Sequence, residues 1–149
     1  MSTFAVQLKQ FADKTKAQAD NAVGRIVVNM ASRLDQRSPV GDASYWKSKP
    51  PPGYVGGRFR GNWQLGVDFV PVGETGRIDP DGGATLSAIK LEIPAQAAGP
   101  VYYLANNVPY AQAIEDGHST RQAPNGVVVL TAMEFQAVVA ESVGDTVMQ

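Results

Sequence analysis

A chain of 149 residues with 44% hydrophobic content is long enough for one domain with a real core, whereas two independent halves would each be marginal. The absence of cysteine excludes disulfides, thiolate chemistry and cysteine-ligated metals together, and charged residues are only 18%, against a usual ~25%. The net charge of −1 hides a division: residues 1–60 carry ten Lys/Arg and four Asp/Glu (+6), and residues 61–149 carry three and ten (−7). Such a split either neutralises itself within the fold or suits head-to-tail contact between copies.

The opening Met1-Ser2-Thr3-Phe4 lacks the basic segment and apolar run of a signal peptide. No stretch approaches the ~20 consecutive apolar residues of a membrane helix. The expected product is soluble and cytoplasmic, with no membrane contact.

Residues 3–37 read as one long helix. Phe4, Leu8, Phe11, Ala19, Ala22, Val23, Ile26, Val27, Met30 and Leu34 recur in steps of three and four, as for a single face. Ser2 or Thr3 suits the cap, Gly24 marks a candidate bend, and Pro39 stops the helix. A helix of this length exceeds the diameter of a compact domain of this mass, so one end is expected to project or to be covered by another subunit. Residues 38–61 form an extended loop rich in Gly, Pro and Ser, with the run Pro50-Pro51-Pro52-Gly53. It also holds Tyr45, Trp46, Tyr54 and Phe59, so it either folds back on its own domain or is ordered by a neighbour.

The remaining body, about 62–143, mixes elements. Trp63, Leu65, Val67 and Phe69 alternate with polar or small residues, as in a half-buried strand stopped by Pro71. Residues 84–93 fit helix or strand. A short helix capped by Asp81 and ended by Pro94 is favoured. Residues 101–105 read as a second strand and Pro109 to Glu115 as a short helix. A closing helix runs from Gly126 to about Val143 with Asn125 as cap, though its Val127-Val128-Val129 opening also suits a strand. The expected class is α+β: a small mixed or antiparallel sheet flanked by a long N-terminal and a C-terminal helix, in a single domain over 1–149. Two strands alone make a marginal sheet, so a third is either overlooked or supplied from elsewhere.

Chemistry is sparse. The single histidine, His118, has only sequence-local partners in Glu115, Asp116 and Ser119. Asp79, Asp81 and Glu74 suggest a cation loop, but the twelfth position of an EF-hand would be Lys90, and a turn explains Asp79-Pro80-Asp81-Gly82-Gly83 equally well. Neither a phosphate-cradling glycine loop nor a nucleophile elbow is present. Arg58-Phe59-Arg60-Gly61-Asn62-Trp63 interleaves basic and aromatic residues. Extended, it would put Arg58 and Arg60 on one side, suited to carboxylates of a neighbouring subunit or to phosphates. Tyr45, Trp46, Tyr54, Arg58, Phe59 and Arg60 are therefore the candidate inter-subunit contacts.

Three segments together resemble one family. They are Arg37-Ser38-Pro39-Val40 with Gly57-Arg58-Phe59-Arg60-Gly61-Asn62-Trp63; Tyr102 to Ala111 continuing through Ile114-Glu115-Asp116-Gly117-His118-Ser119; and Gln122-Ala123-Pro124-Asn125-Gly126 with Leu130-Thr131 and Glu134-Phe135. Their order and spacing are similar to those of the tail-completion, or minor tail, proteins of the neck of long-tailed bacteriophages. Residues 41–56 depart from that pattern as an insertion. The resemblance implies a structural virion protein, not an enzyme, without cofactor, catalytic residue or metal. It implies a homo-oligomeric ring, six copies being the expected number, made in the host cytoplasm and placed in the virion neck. Its expected partners are itself, the tail terminator or tail tube, and a head-side connector or stopper, with genomic DNA only passing through the lumen. Pro39, Gly57, Gly61, Trp63, Asn106, Asn107, Pro109, Tyr110, Glu115, Gly117 and Pro124 are then the family-motif residues, expected to be structural. A tail terminator capping the tube, or a small nucleic-acid-binding protein using Arg58-Phe59-Arg60, are the alternatives.

Overall fold

The computed structural model describes residues 3–147. Helices α1 (Thr3–Arg37), α2 (Arg58–Gly61), α3 (Gly83–Glu92), α4 (Ala111–Glu115), α5 (Val128–Met133) and α6 (Phe135–Val147) accompany strands β1 (Trp63–Val67) and β2 (Tyr102–Asn106). The α+β class holds: about half the chain is helical, with one two-stranded antiparallel sheet. The register pairs Trp63 with Asn106, Leu65 with Leu104 and Val67 with Tyr102. Since strand side chains alternate, these six share one face, and Trp63 and Leu65 are buried there beneath α1 and α3. Among the described residues no third strand completes the sheet.

Helix α1 is longer than the domain it serves. It runs unbroken through Gly24, where an added Cβ would stand 4.0 Å from Ile93 Cγ2. Its inner half packs through Val27, Ala31 and Leu34 into the core with Phe59, Trp63, Ile89, Val108, Ile114 and Val127. Every residue from Thr3 to Ala19 is exposed. Phe4 is 73%, Leu8 55% and Phe11 68% exposed, so the single apolar face expected from the sequence is not one face. At about 100° per residue, Phe4, Leu8 and Phe11 lie roughly 140° around the axis from Val27, Ala31 and Leu34. The stripe drifts as it climbs, and its outer part points away from its own body. Ser2, one of the two expected caps, lies outside the described residues.

Several boundaries differ for identifiable reasons. Strand β1 ends at Val67 because Asp68 takes φ 64 and folds the carboxylate onto the backbone N–H of Val101 at 2.9 Å. The closing helix is two helices, α5 and α6, broken at Glu134. Arg58–Gly61 forms a helical turn rather than an extended run, so the two arginines do not lie side by side along a strand.

The end of α1 is the junction of the fold. Ser38 Oγ donates to the Leu34 carbonyl at 2.6 Å and accepts the indole N–H of Trp63 at 2.7 Å, while the Ser38 carbonyl accepts from Arg60 at 3.0 Å. Farther along, Arg33 and Arg37 clasp the carboxylate of Glu134, Arg33 reaches Glu141 at 3.1 Å, and Arg37 donates to Thr131 at 3.0 Å. Part of the charge division is thus neutralised within the chain. Ser38→Ala strands the buried Trp63 N–H, and we expect it to cost about 1–3 kcal/mol in chemical denaturation, with Ser38→Thr recovering part of the loss.

Candidate functional site

The 38–61 loop is tied to its own body. The Gln122 side-chain amide pairs with both the N–H and the carbonyl of Val40, at 2.8 and 2.7 Å. Asp42 caps a 3₁₀ turn over Ala43–Tyr45 through the N–H of Ser44. The Tyr54 hydroxyl lies over Gly41, so that a side chain there would require the tyrosine to shift. Trp46 and Tyr54 meet at 4.6 Å between ring centroids, and Arg121 lies 4.2 Å over the Tyr45 ring. A turn from Pro51 to Tyr54, with Gly53 at φ 73, forms the tip. The loop is therefore packed within its own chain, yet Tyr45, Trp46 and Tyr54 stay 56%, 41% and 36% exposed. Beneath them a cleft of about 390 Å³ is lined by Trp46, Tyr54, Phe59, Tyr110, Ile114 and Gln122 among others.

Three of the six expected contact residues are placed elsewhere by the fold. Phe59 is a core residue, 6% exposed, edge-on to Trp63 at 5.7 Å. Arg58 grips Glu74 with two bonds of 3.0 Å and lies 5.4 Å over the Tyr110 ring. Arg60 donates to the carbonyls of Pro80 and Ser38. Lys47 and Lys49 remain exposed on the loop. Within the basic-aromatic segment Phe59 is buried, while both guanidiniums meet acceptors in their own chain and Arg58 stays about half exposed.

The motif residues resolve into interlocks. Gly57 takes φ 118, and a Cβ there would stand 2.5–2.6 Å from the Asp79-Pro80 backbone; Gly61 backs onto the Arg77 carbonyl. Asn106 donates to the Phe59 carbonyl at 2.8 Å, and Asn107 to the carbonyls of Pro71 and Gly73. Pro39 is buried behind Ser38, and Tyr110 rests on Phe59 at 6.5 Å after the exposed Pro109. Gly117 takes φ 87 with the Pro124 carbonyl where its Cβ would be.

Glu115 is the least expected member. Its carboxylate accepts the N–H groups of Val127, Val128 and Val129 at 2.9, 2.8 and 2.9 Å, and so caps α5 from another helix. Asn125 does not make that cap. Burial alone would raise this carboxyl's pKa, but the three N–H donors hold it below the ordinary glutamate value. Similarly, Asp79 and not Asp81 serves α3, accepting from Gly82 N–H, Thr85 N–H and Thr85 Oγ1 at 3.0, 2.8 and 2.6 Å. Those donors outweigh burial and keep its pKa low. With Asp79 and Glu74 committed and Asp81 exposed, the trio does not form a cation loop. Among the described residues no three of His, Cys, Asp and Glu stand close enough to hold a metal ion. His118 is exposed, and the neighbouring Glu115 is fully engaged with backbone donors.

Asp35 is the one buried carboxylate without full satisfaction. It is 3% exposed, its Oδ1 has no partner, and burial pushes its pKa up to about 6, opposed by the Arg60 charge and reinforced by Asp79. No helix of the described residues is long and apolar enough to cross a membrane. Comparison with family models, curated proteins and solved structures gives no match for this chain.

Two pH dependences follow, of opposite sign. Asp35 has a folded-state pKa above its unfolded value of ~3.9. It therefore costs stability above about pH 6, and the cost vanishes as pH falls toward 4. Asp35→Asn should be more stable than the parent at pH 8, with the gap in melting temperature closing on acidification. Glu115 has a lowered folded-state pKa. Its contribution is present above the unfolded value of ~4.3 and is lost as pH falls further. Glu115→Ala should cost about 2 kcal/mol at pH 7, a loss that urea titrations at pH 7 and pH 3 will show shrinking in acid.

Proposed function

We propose that this chain is a structural, non-catalytic subunit of the neck of a long-tailed phage, a ring-forming tail-completion protein joining the tail tube or terminator to the head-side connector. The observation that carries the reading is surface. The chain exposes 9361 Å², whereas a compact monomer of 15.8 kDa exposes about 7,300 Å². A standard interface removes about 800 Å² from each partner, so the excess, about 2,000 Å², is enough for two such faces on one subunit. Much of it belongs to the outer half of α1, where apolar side chains stand in solvent, and to the aromatic loop. Resemblance in the three motif segments gives the assembly its class. The motifs' hydrogen bonds assign them to holding the subunit's shape, which is the demand on a ring component.

Nucleic-acid binding through Arg58-Phe59-Arg60 loses its support here. One guanidinium is paired with Glu74, the other is bonded to two carbonyls, and the phenyl ring between them is buried. The chain should pass through immobilised duplex DNA even at low salt, where phosphate contacts are strongest.

Mass spectrometry of purified particles provides the decisive test. The chain should be present in a fixed, small multiple of the portal-proximal components, six copies being expected. Its absence from particles that carry complete tails overturns the reading. The height of the ring in imaged necks separates a completion protein from a terminator.

A further inference from the structure

We propose that the outer half of α1 of one copy lies in the groove between β2 and α5 of a second copy, with Phe4, Leu8 and Phe11 covering Val128, Val129 and Met133. This deepens the ring reading and shares with it the requirement that copies associate. Both surfaces are exposed among the described residues. The helix face carries Phe4, Leu8 and Phe11 at i, i+4 and i+7, with Thr15 next in the series and Ala12 and Ala19 beside it, small enough for close approach. The groove, about 290 Å³, has Phe59, Trp63 and Leu104 among its walls. In its lining Val128 is 48% and Val129 57% exposed, and Met133, one helical turn beyond Val129 in α5, is 77% exposed.

Geometry and charge select a second copy in a head-to-tail arrangement. The outer stripe points away from its own core, so the helix cannot present it to its own body while Val27, Ala31 and Leu34 stay seated. Residues 3–19 carry three Lys and one Asp (+2), and Lys14 and Lys16 have no partner among the described residues. Near the groove Glu134 is clasped by Arg33 and Arg37 and Glu115 is spent on the α5 N–H groups, which leaves the Asp116 carboxylate to face a cationic neighbour. Asp116 accepts from Gln112, a groove residue, at 3.0 Å and stands at the rim. Two outer helices packed on each other would bring +2 against +2; helix on groove brings opposite charge together. Such a contact is heterologous, and each copy then has one donor and one acceptor surface, which generates a ring when the rotation closes. The area is sufficient: each copy would give about 800 Å² at its donor face and as much at its acceptor face, within the excess surface of one subunit.

The chain has no cysteine, so a directed cross-link is unambiguous. Leu8→Cys and Val129→Cys variants, purified separately and mixed under mild oxidation, should give a disulfide dimer of the two different variants. Predominant Leu8→Cys self-dimers, or a monomer without mixed dimer at the highest soluble concentration, overturn the docking. Independently, Phe11→Asp and Met133→Asp should each weaken association at least about tenfold by analytical ultracentrifugation. Both side chains are exposed, so the melting temperature should stay that of the parent; a variant that loses association only by unfolding counts against the proposal. A chain present in particles but giving no mixed cross-link defeats the docking and leaves the neck reading standing. A mixed cross-link from a chain absent from particles does the reverse.

Discussion

A two-stranded sheet of five-residue strands has too little surface to hold itself together in water, and here its stability is borrowed from the end of one helix. Ser38 stops α1 by returning its hydroxyl to Leu34, and the same oxygen takes the indole proton of Trp63 at the first residue of β1. Arg60 binds the carbonyl of that serine while sitting in α2, the turn that leads into the strand. Helix end, turn and sheet are therefore fixed by one buried node. Everything downstream, from the Asn106 bond to Phe59 to the packing of Ile114 and Val127, builds on the position that node gives Trp63.

A second layer of order comes from carboxylates that serve distant backbone. Glu115 accepts three backbone N–H groups at the start of α5, Asp79 accepts two backbone N–H groups and a hydroxyl at the start of α3, and Glu134 unites two arginines of α1 with the break between α5 and α6. Each of these acidic groups is consumed in architecture. Asp35 is different: buried beside Arg60 without full hydrogen bonding, it opposes folding at neutral pH.

The elements that could be read in the sequence were those with a local cause. Helix α1 followed from its apolar recurrence and ended before Pro39 as anticipated, and the alternation from Trp63 to Val67 marked β1. What escaped was set by partners far along the chain. Asn125 and Asp81 were in the right places to cap, but Glu115 and Asp79 had the better reach, and nothing within a few residues could reveal that. The Arg58-Phe59-Arg60 segment looked like a surface because alternation in an extended chain was assumed; as a helical turn it buries Phe59. The Arg33/Arg37 spacing, four residues apart on one helix side, was a legible hint of a shared carboxylate. The drift of the α1 stripe was also legible from the helical repeat.

The exposed half of α1 has an energetic corollary. Seventeen exposed residues sit close to the length at which an isolated helix is only marginal in water. Such a segment opens at small free-energy cost while the half beyond it, anchored at Val27 to Leu34, stays closed. Amide exchange along this one rod should change steeply between residues 19 and 27, fast outside and slow within. Any body that grips the fast part must also offset the entropy lost in freezing it, so helical order there and occupancy rise together.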